Sequence, residues 1–289
     1  MKVFQSPVGL SAVLLSLSLG LAPGVATFAG EAKLAGVLAS QPDDVKARYR
    51  YRHPAETLGF FGIEPGMTVV EVLPGGGWYS QIIIPYLGAK GELIGANYAH
   101  DMWPLFGFFG EDFIAQMGTW VEDWPKEAST WAPGAATVSA FEFGEMPEDM
   151  AGTADAMLFI RALHNLRRFE SEGGYLGTAL ADALAVLRPG GIVGVVQHEA
   201  RPEMSDEFAS GANGYLKKAF VIEAFEQAGF EFVAESDINQ NPKDQPSETD
   251  IVWRLPPSLN GAEENPEKQK AMEKIGESNR MTLKFRKPE

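Results

Sequence analysis

The sequence predicts an α/β fold built on a parallel sheet with right-handed crossovers. Three observations carry that reading. Apolar, β-branched runs alternate with helical segments along almost the whole chain. One such run, residues 69–73, passes through Pro74-Gly75-Gly76-Gly77 into the apolar segment 78–84, a buried strand and a glycine turn followed by the start of a helix. Farther on, Arg188-Pro189-Gly190-Gly191 joins a leucine-spaced helix to another β-branched run.

Residues 43–61 form the first expected helix, anchored by Leu58, Phe60 and Phe61 and ended near Gly62. Glu64-Pro65-Gly66 is a turn, and the first strand spans 67–73. A helix over 78–87 follows, with Gly88 as its C-terminal cap, then the second strand over 91–97. Residues 101–131 carry four of the six tryptophans: Trp103, Trp120, Trp124 and Trp131. They read as a helix packed on the sheet with its flanking turns, or as aromatic walls of a pocket. Strands three and four are 135–141 and 154–160. The helix over 174–187 places Leu176, Leu180, Leu184 and Leu187 at helical spacing, and strand five is 192–197. A helix over 216–228, closed by Gly229, leads to strand six at 230–235. Residues 240–278 are polar, proline-bearing and charge-rich, a loop insertion interrupted by Ile251-Val252-Trp253-Arg254-Leu255. Residues 281–286 supply a seventh, C-terminal strand, and one domain over 30–289 accounts for every element.

A hydrophobic fraction of 45% and an aromatic fraction of 11% belong to a globular chain with a sizeable core. The formal net charge of −15 argues against binding nucleic acid or anionic lipid, since both need a positive field. Cysteine is absent, which excludes disulfides, thiolate metal sites and a cysteine nucleophile. Lys2, the diluted apolar stretch 8–21, and Pro23-Gly24 ahead of Ala26-Thr27-Phe28-Ala29 read as a secretory signal peptide over 1–29. Cleavage is expected after Ala29 or Ala26. The stretch is too short and too interrupted for a span of about 20 residues, so no stable membrane insertion is expected after cleavage. Its removal deletes one lysine and no acid, leaving a net charge of −16. An exported chain without cysteine points to the bacterial periplasm.

Three segments together resemble the class I S-adenosylmethionine-dependent methyltransferases over about residues 55–287. They are Val70-Glu71-Val72-Leu73-Pro74-Gly75-Gly76-Gly77, the junction Leu187-Arg188-Pro189-Gly190-Gly191-Ile192, and the Gly229-Phe230 helix end with its closing strand. Arg52-His53-Pro54-Ala55-Glu56-Thr57-Leu58, with Pro65-Gly66-Met67-Thr68, is similar to exported proteins of that family. The resemblance implies a Rossmann-like fold: a seven-stranded, mostly parallel sheet with helices on both faces and a C-terminal antiparallel strand. It implies S-adenosylmethionine as cofactor and a small-molecule methyl acceptor. Pro74, Gly75, Gly76 and Gly77 would then admit the methionine and ribose portions against the backbone. Glu71 would sit near the cofactor's charged amino acid moiety, or act as a structural acid capping the turn. Asn97, where an acid usually ends strand two, would bond the ribose hydroxyls, and Glu142 would lie on the adenine side. Asn97 in place of that acid, and Pro74 in place of the first glycine, depart from the family's pattern.

His164, in Arg161-Ala162-Leu163-His164-Asn165 after strand four, and His198 after strand five should reach one crevice at the carboxyl end of the sheet. Methyl transfer is an in-line displacement, and a histidine near pKa 6.5 can take a proton there. Either histidine can instead be a structural hydrogen-bonder. Arg161 and Asn165 are candidates for holding the acceptor, Arg161 through an anionic group or merely by pairing with a sheet-end acid. No ligand spacing supports a metal site. Two other functions stay open. One is a noncatalytic periplasmic binding or accessory protein, suggested by Asn97, Pro74 and the cytosolic origin of the cofactor. The other is a dinucleotide oxidoreductase, although the third glycine and the strand-two acid of that fingerprint are missing.

Overall fold

The structure is a computed structural model describing Met1 and residues 23–289. The apolar stretch of the expected signal peptide lies outside the described residues. Among those described, no helix is long and apolar enough to cross a membrane. Helix α1 (Pro23–Ser40) comes first.

The single helix expected over 43–61 is three: α2 (Asp43–Lys46), α3 (Tyr49–Arg52) and α4 (Pro54–Phe61). Pro54 is the physical reason for the break between α3 and α4, because a proline disfavours the helical conformation of the residue before it. His53 takes a left-handed φ of 40° instead. The break frees the Arg52 carbonyl, which accepts from Thr57 Oγ1 at 3.2 Å and from the Tyr79 hydroxyl at 3.1 Å. Then follow β1 (Thr68–Val72), α5 (Ser80–Leu87), β2 (Glu92–Asn97), α6 (Glu111–Met117), α7 (Trp120–Ser129), β3 (Thr137–Glu142) and β4 (Ala154–Ile160). The second half holds α8 (Leu163–Arg168), α9 (Glu170–Gly173), α10 (Tyr175–Val186), β5 (Leu187–Ala200), β6 (Leu216–Lys217), α11 (Lys218–Gln227), β7 (Glu231–Ser236), α12 (Pro266–Ile275) and β8 (Arg280–Arg286).

The strand order is β3-β2-β1-β4-β5-β8-β7, with β1 to β5 parallel and β8 antiparallel to both neighbours. The chain winds outward from β1 to β3 and then crosses to β4, so the order reverses beside β1. A crevice opens at such a reversal, outside the carboxyl ends of the strands. Side chains alternate across the sheet as a period of two requires. Val70, Val72, Met157, Phe159 and Val195 pack with α8, α10 and α11 on one face. Val69, Leu93, Ala156 and Leu158 pack with α1, α4, α5 and α7 on the other.

Two of the shifted boundaries follow from strand pairing. The helix expected from residue 216 begins at Lys218, because Leu216 and Lys217 pair with Glu199 and Ala200 as an eighth strand. Strand five starts at Leu187 rather than Ile192, since Leu187 already pairs with Ala154 ahead of a register shift. The 240–278 stretch is not all loop: it contains a 3-10 turn at Val252–Arg254 and α12. It is tied down by a buried network in which Arg254 Nη2 meets Asp244 Oδ1 at 2.7 Å and Arg254 Nη1 donates to the Tyr215 hydroxyl at 2.8 Å. That hydroxyl donates to Asp244 Oδ2 at 3.0 Å. These charge-assisted bonds hold the segment, and with it Trp253, at the carboxyl edge of the sheet.

Candidate functional site

A cavity of about 450 Å³ lies at the strand reversal, in the size range of small-molecule pockets. Its floor comes from strand ends: Leu73, Pro74 and Gly75 after β1, Asn97 and Tyr98 at β2, Ile160 and Arg161 at β4, His198 in β5. His164 and Asn165 reach it from α8. Trp103, Phe113, Met117 and Trp120 wall it, and Trp253 borders it from the insertion.

The turn after β1 is held by a Gly77 N–H donating to the Pro74 carbonyl at 2.9 Å. Of its four expected cofactor-facing residues, Pro74 and Gly75 line the cavity and Gly76 and Gly77 do not. Gly75, at φ 54°, occupies the left-handed region that a glycine enters without cost. Gly76 is exposed and a Cβ there would meet nothing within 4 Å. Gly77 is required for another reason: at φ 73° its absent Cβ would lie 2.2 Å from the Trp131 ring. Glu71 is also outside the cavity. It sits under the turn, 4% exposed, and accepts a 2.6 Å bond from Ser80 Oγ at the start of α5. Burial pushes its carboxyl up to about 7, against the opposing pull of that bond and of Arg161.

Asn97 is 4% exposed and its Oδ1 accepts from the Tyr98 N–H at 2.9 Å, so the carboxamide is fixed at the cavity wall. Glu142 is not part of this site. It lines a separate surface pocket with His100, Asp101 and Tyr175, because β3 lies outside β2 at the sheet edge.

The two histidines do converge, with ring centroids 5.6 Å apart. His164 Nδ1 lies 3.5 Å from Gln197 Oε1, and His198 Nδ1 lies 2.6 Å from Ser278 Oγ. Neither keeps an ordinary imidazole pKa. Burial lowers His164 to about 4, opposed by the Gln197 bond and reinforced by the Arg161 charge. Burial, then His164 and Arg161, hold His198 well below its usual range. Both are therefore neutral and weakly basic at pH 7, which corrects the expectation of a base near 6.5. Asn165 Nδ2 donates to the Tyr98 hydroxyl at 2.9 Å. Arg161 stands in the left-handed region at φ 60°, and its Nε is buried without a hydrogen-bond partner among the described residues. No group of three His, Cys, Asp or Glu that could hold a metal ion occurs among them.

Both readings of the aromatic stretch hold, for different tryptophans. Trp103 and Trp120 line the cavity, whereas Trp124, stacked on Trp120 and packed with it against Gly95, does not. Sequence reasoning passed over Tyr98 and Trp253. Tyr98 directly follows Asn97, and Trp253 belongs to the apolar island inside a polar stretch, which was the available signal.

No protein-family model matches the chain, and no curated protein matches it. Solved structures do. The [4+2]-cyclase SpnF is 16% identical, with a TM-score of 0.51 over 82% of this chain and 81% of its own. A geranyl diphosphate methyltransferase solved in complex with SAM is 13% identical, with a TM-score of 0.50 over 88% of this chain and 90% of its own. At such identities the likeness concerns fold, and fold alone does not set activity: one of these proteins is a cyclase, the other a methyltransferase. The chain has the Rossmann-like methyltransferase fold, a mostly parallel sheet closed by an antiparallel C-terminal strand.

Proposed function

We propose that this protein is an S-adenosylmethionine-dependent methyltransferase acting on a small molecule, and that it works in the periplasm after export. One observation carries the enzymatic reading: Pro74 and Gly75 of the turn after β1, Asn97, both histidines and Arg161 meet in one cavity at the strand reversal. Export is supported by the leader-like residues 1–29 and by a chain without cysteine.

The residues present fit the cofactor. Gly75 leaves the backbone open at the wall, Asn97 offers a carboxamide for hydroxyl groups, and the Trp103 indole N–H is buried with no partner among the described residues. Bound S-adenosylmethionine supplies a methyl group on a cationic sulfonium, a charge that aromatic faces such as Trp103 and Trp120 favour. The protein's own contribution is placement and exclusion of water. His164, His198 and Asn165 orient an acceptor by hydrogen bonds rather than by strong base catalysis, because both imidazoles are weak bases. That suits an acceptor whose attacking atom already carries an available lone pair.

Calorimetry of the protein with S-adenosylhomocysteine tests this. Wild type should bind, and Asn97→Asp should bind about tenfold tighter, since a charge-assisted bond to a ribose hydroxyl gains on the order of 1 kcal/mol. Silence from both proteins at millimolar ligand sinks the reading, and binding of NADH instead would point to redox chemistry.

A further inference from the structure

A second cavity, of about 310 Å³, adjoins the first, and the two share Arg161, His198 and Trp253. Arg48, Arg52 and Pro257 are among its other walls. Its chemistry is unusual for a chain of net charge −15. Four arginines gather around one carboxylate. Glu277 accepts from Arg48 Nε at 2.7 Å, Arg280 Nη1 at 3.1 Å and Arg52 Nε at 3.4 Å. Arg161, close enough to feel both Arg280 and Glu277, forms no ion pair of its own among the described residues. His198 is neutral and adds no further positive charge.

Arg52 Nη1, Arg161 Nε and Arg280 Nε are buried without hydrogen-bond partners among the described residues, as is Arg48 Nη2, which however ion-pairs with Glu277 Oε1 at 2.6 Å. Arg52 is 2% exposed and Arg280 3%. A buried donor left unpaired is costly, and an unpaired buried charge more so. Burial and then neighbouring arginines lower Arg52 to about 9 and Arg161 to about 10, so both stay charged at neutral pH. Arg161 is moreover held in a left-handed backbone conformation, which costs energy and persists only where surroundings enforce it. Three cations in excess would not be assembled for stability. Planar guanidinium forks match the oxygens of a phosphoryl group or of carboxylates.

The position of the cavity says which ligand. Neither the glycine turn nor Asn97 lines it; its walls come from α3, the insertion and the segment between α12 and β8. We propose that this cavity receives a doubly charged oxyanion, a phosphoryl group in the first instance, carried by the methyl acceptor, whose body passes Trp253 and His198 into the first cavity. The word acceptor rests on the methyl-transfer reading; the anion site does not.

The test uses the whole protein without any S-adenosyl ligand. Inorganic pyrophosphate and phosphate are titrated at ionic strength held constant with chloride, followed by calorimetry and thermal melting. Pyrophosphate should bind and raise the melting temperature. Arg161→Gln should weaken it by about tenfold or more, and the partly exposed Arg48→Gln by less. Because Arg161 is an unpaired cation, Arg161→Gln without anion should melt at or above wild type while losing the anion-induced rise. A lower melting temperature for that variant would mark the arginine as structural and overturn the proposal, as would unchanged affinity. Competition between pyrophosphate and S-adenosylhomocysteine would put the cofactor's own carboxylate in the cavity and overturn the acceptor assignment. Anion binding intact beside a failure to bind S-adenosylhomocysteine would sink the methyl-transfer reading alone.

Discussion

A carboxyl group buried beneath the glycine turn is the least comfortable residue in this site. Among the described residues Glu71 accepts one side-chain hydrogen bond, from Ser80, and feels the cation of Arg161. Its folded pKa, about 7, stands above the ordinary carboxyl value of 4.5. The stability it permits is thus fully present below pH 4.5 and is lost as pH rises through 7, where the native state must ionise a buried acid. Glu71→Gln is neutral at every pH and nearly the same shape. At about pH 3.5 it should melt like wild type, and at pH 8 it should be more stable by up to about 3 kcal/mol, the worth of such a shift. Melting curves at the two pH values decide it; an equal difference at both would mean that ionisation is not the cause. Sequence alone identified Glu71 as the acid of the first strand but not its surroundings. An acid in an apolar run reads alike whether it edges a cavity or lies under helix α5. The same holds for His164 and His198, whose convergence followed from strand order, whereas their weakened basicity follows from burial that only the fold creates.

At the scale of elements, the turn between β1 and α5 divides its glycines by task. Gly75 faces the cavity, Gly76 faces open space and Gly77 faces Trp131. Gly77→Ala forces an L side chain to φ 73° and drives it into an indole, and should cost about 2–4 kcal/mol from backbone strain and overpacking together. Gly76→Ala, with free space and no positive φ, should stay within about 0.5 kcal/mol of wild type. Urea denaturation of the two variants checks this, and equal losses would contradict the division. The strands and the major helices were readable because β-branched runs and leucine spacing are local signals. The kink at His53 was signalled by Pro54 and still read as continuous helix, because the apolar spacing carries on across it. The anchoring of residues 240–278 could not be read, since Tyr215, Asp244 and Arg254 meet only through tertiary contact.

Over the whole molecule, charge and topology tell different stories. A net charge of −15 hides a local positive cluster, because Arg48, Arg52, Arg161 and Arg280 are scattered along the chain and brought together by α3, β4 and β8. The amino-terminal region presents a converse case, in which the sequence pattern is strong and the fold adds one detail. Ala29 is exposed, whereas Gly30 is buried, where a Cβ would lie 2.9 Å from a Glu64 carboxylate oxygen and 3.5 Å from the Tyr86 hydroxyl. Leu34, one helical turn later, belongs to the core shared with α4 and α5. A cut after Ala29 would therefore keep α1 from Gly30 onward, and a cut after Ala26 would add only three residues. Protein expressed with its leader in a Gram-negative host should be recovered from the periplasmic fraction, and amino-terminal sequencing should begin at Gly30. A chain produced directly from Gly30 should melt as cooperatively as the processed protein and bind S-adenosylhomocysteine equally well. A start at Thr27 would move the site while preserving export. Unprocessed protein beginning at Met1, recovered from the cytosol, would remove the periplasmic reading, and with it the need to supply a cytosolic cofactor across a membrane.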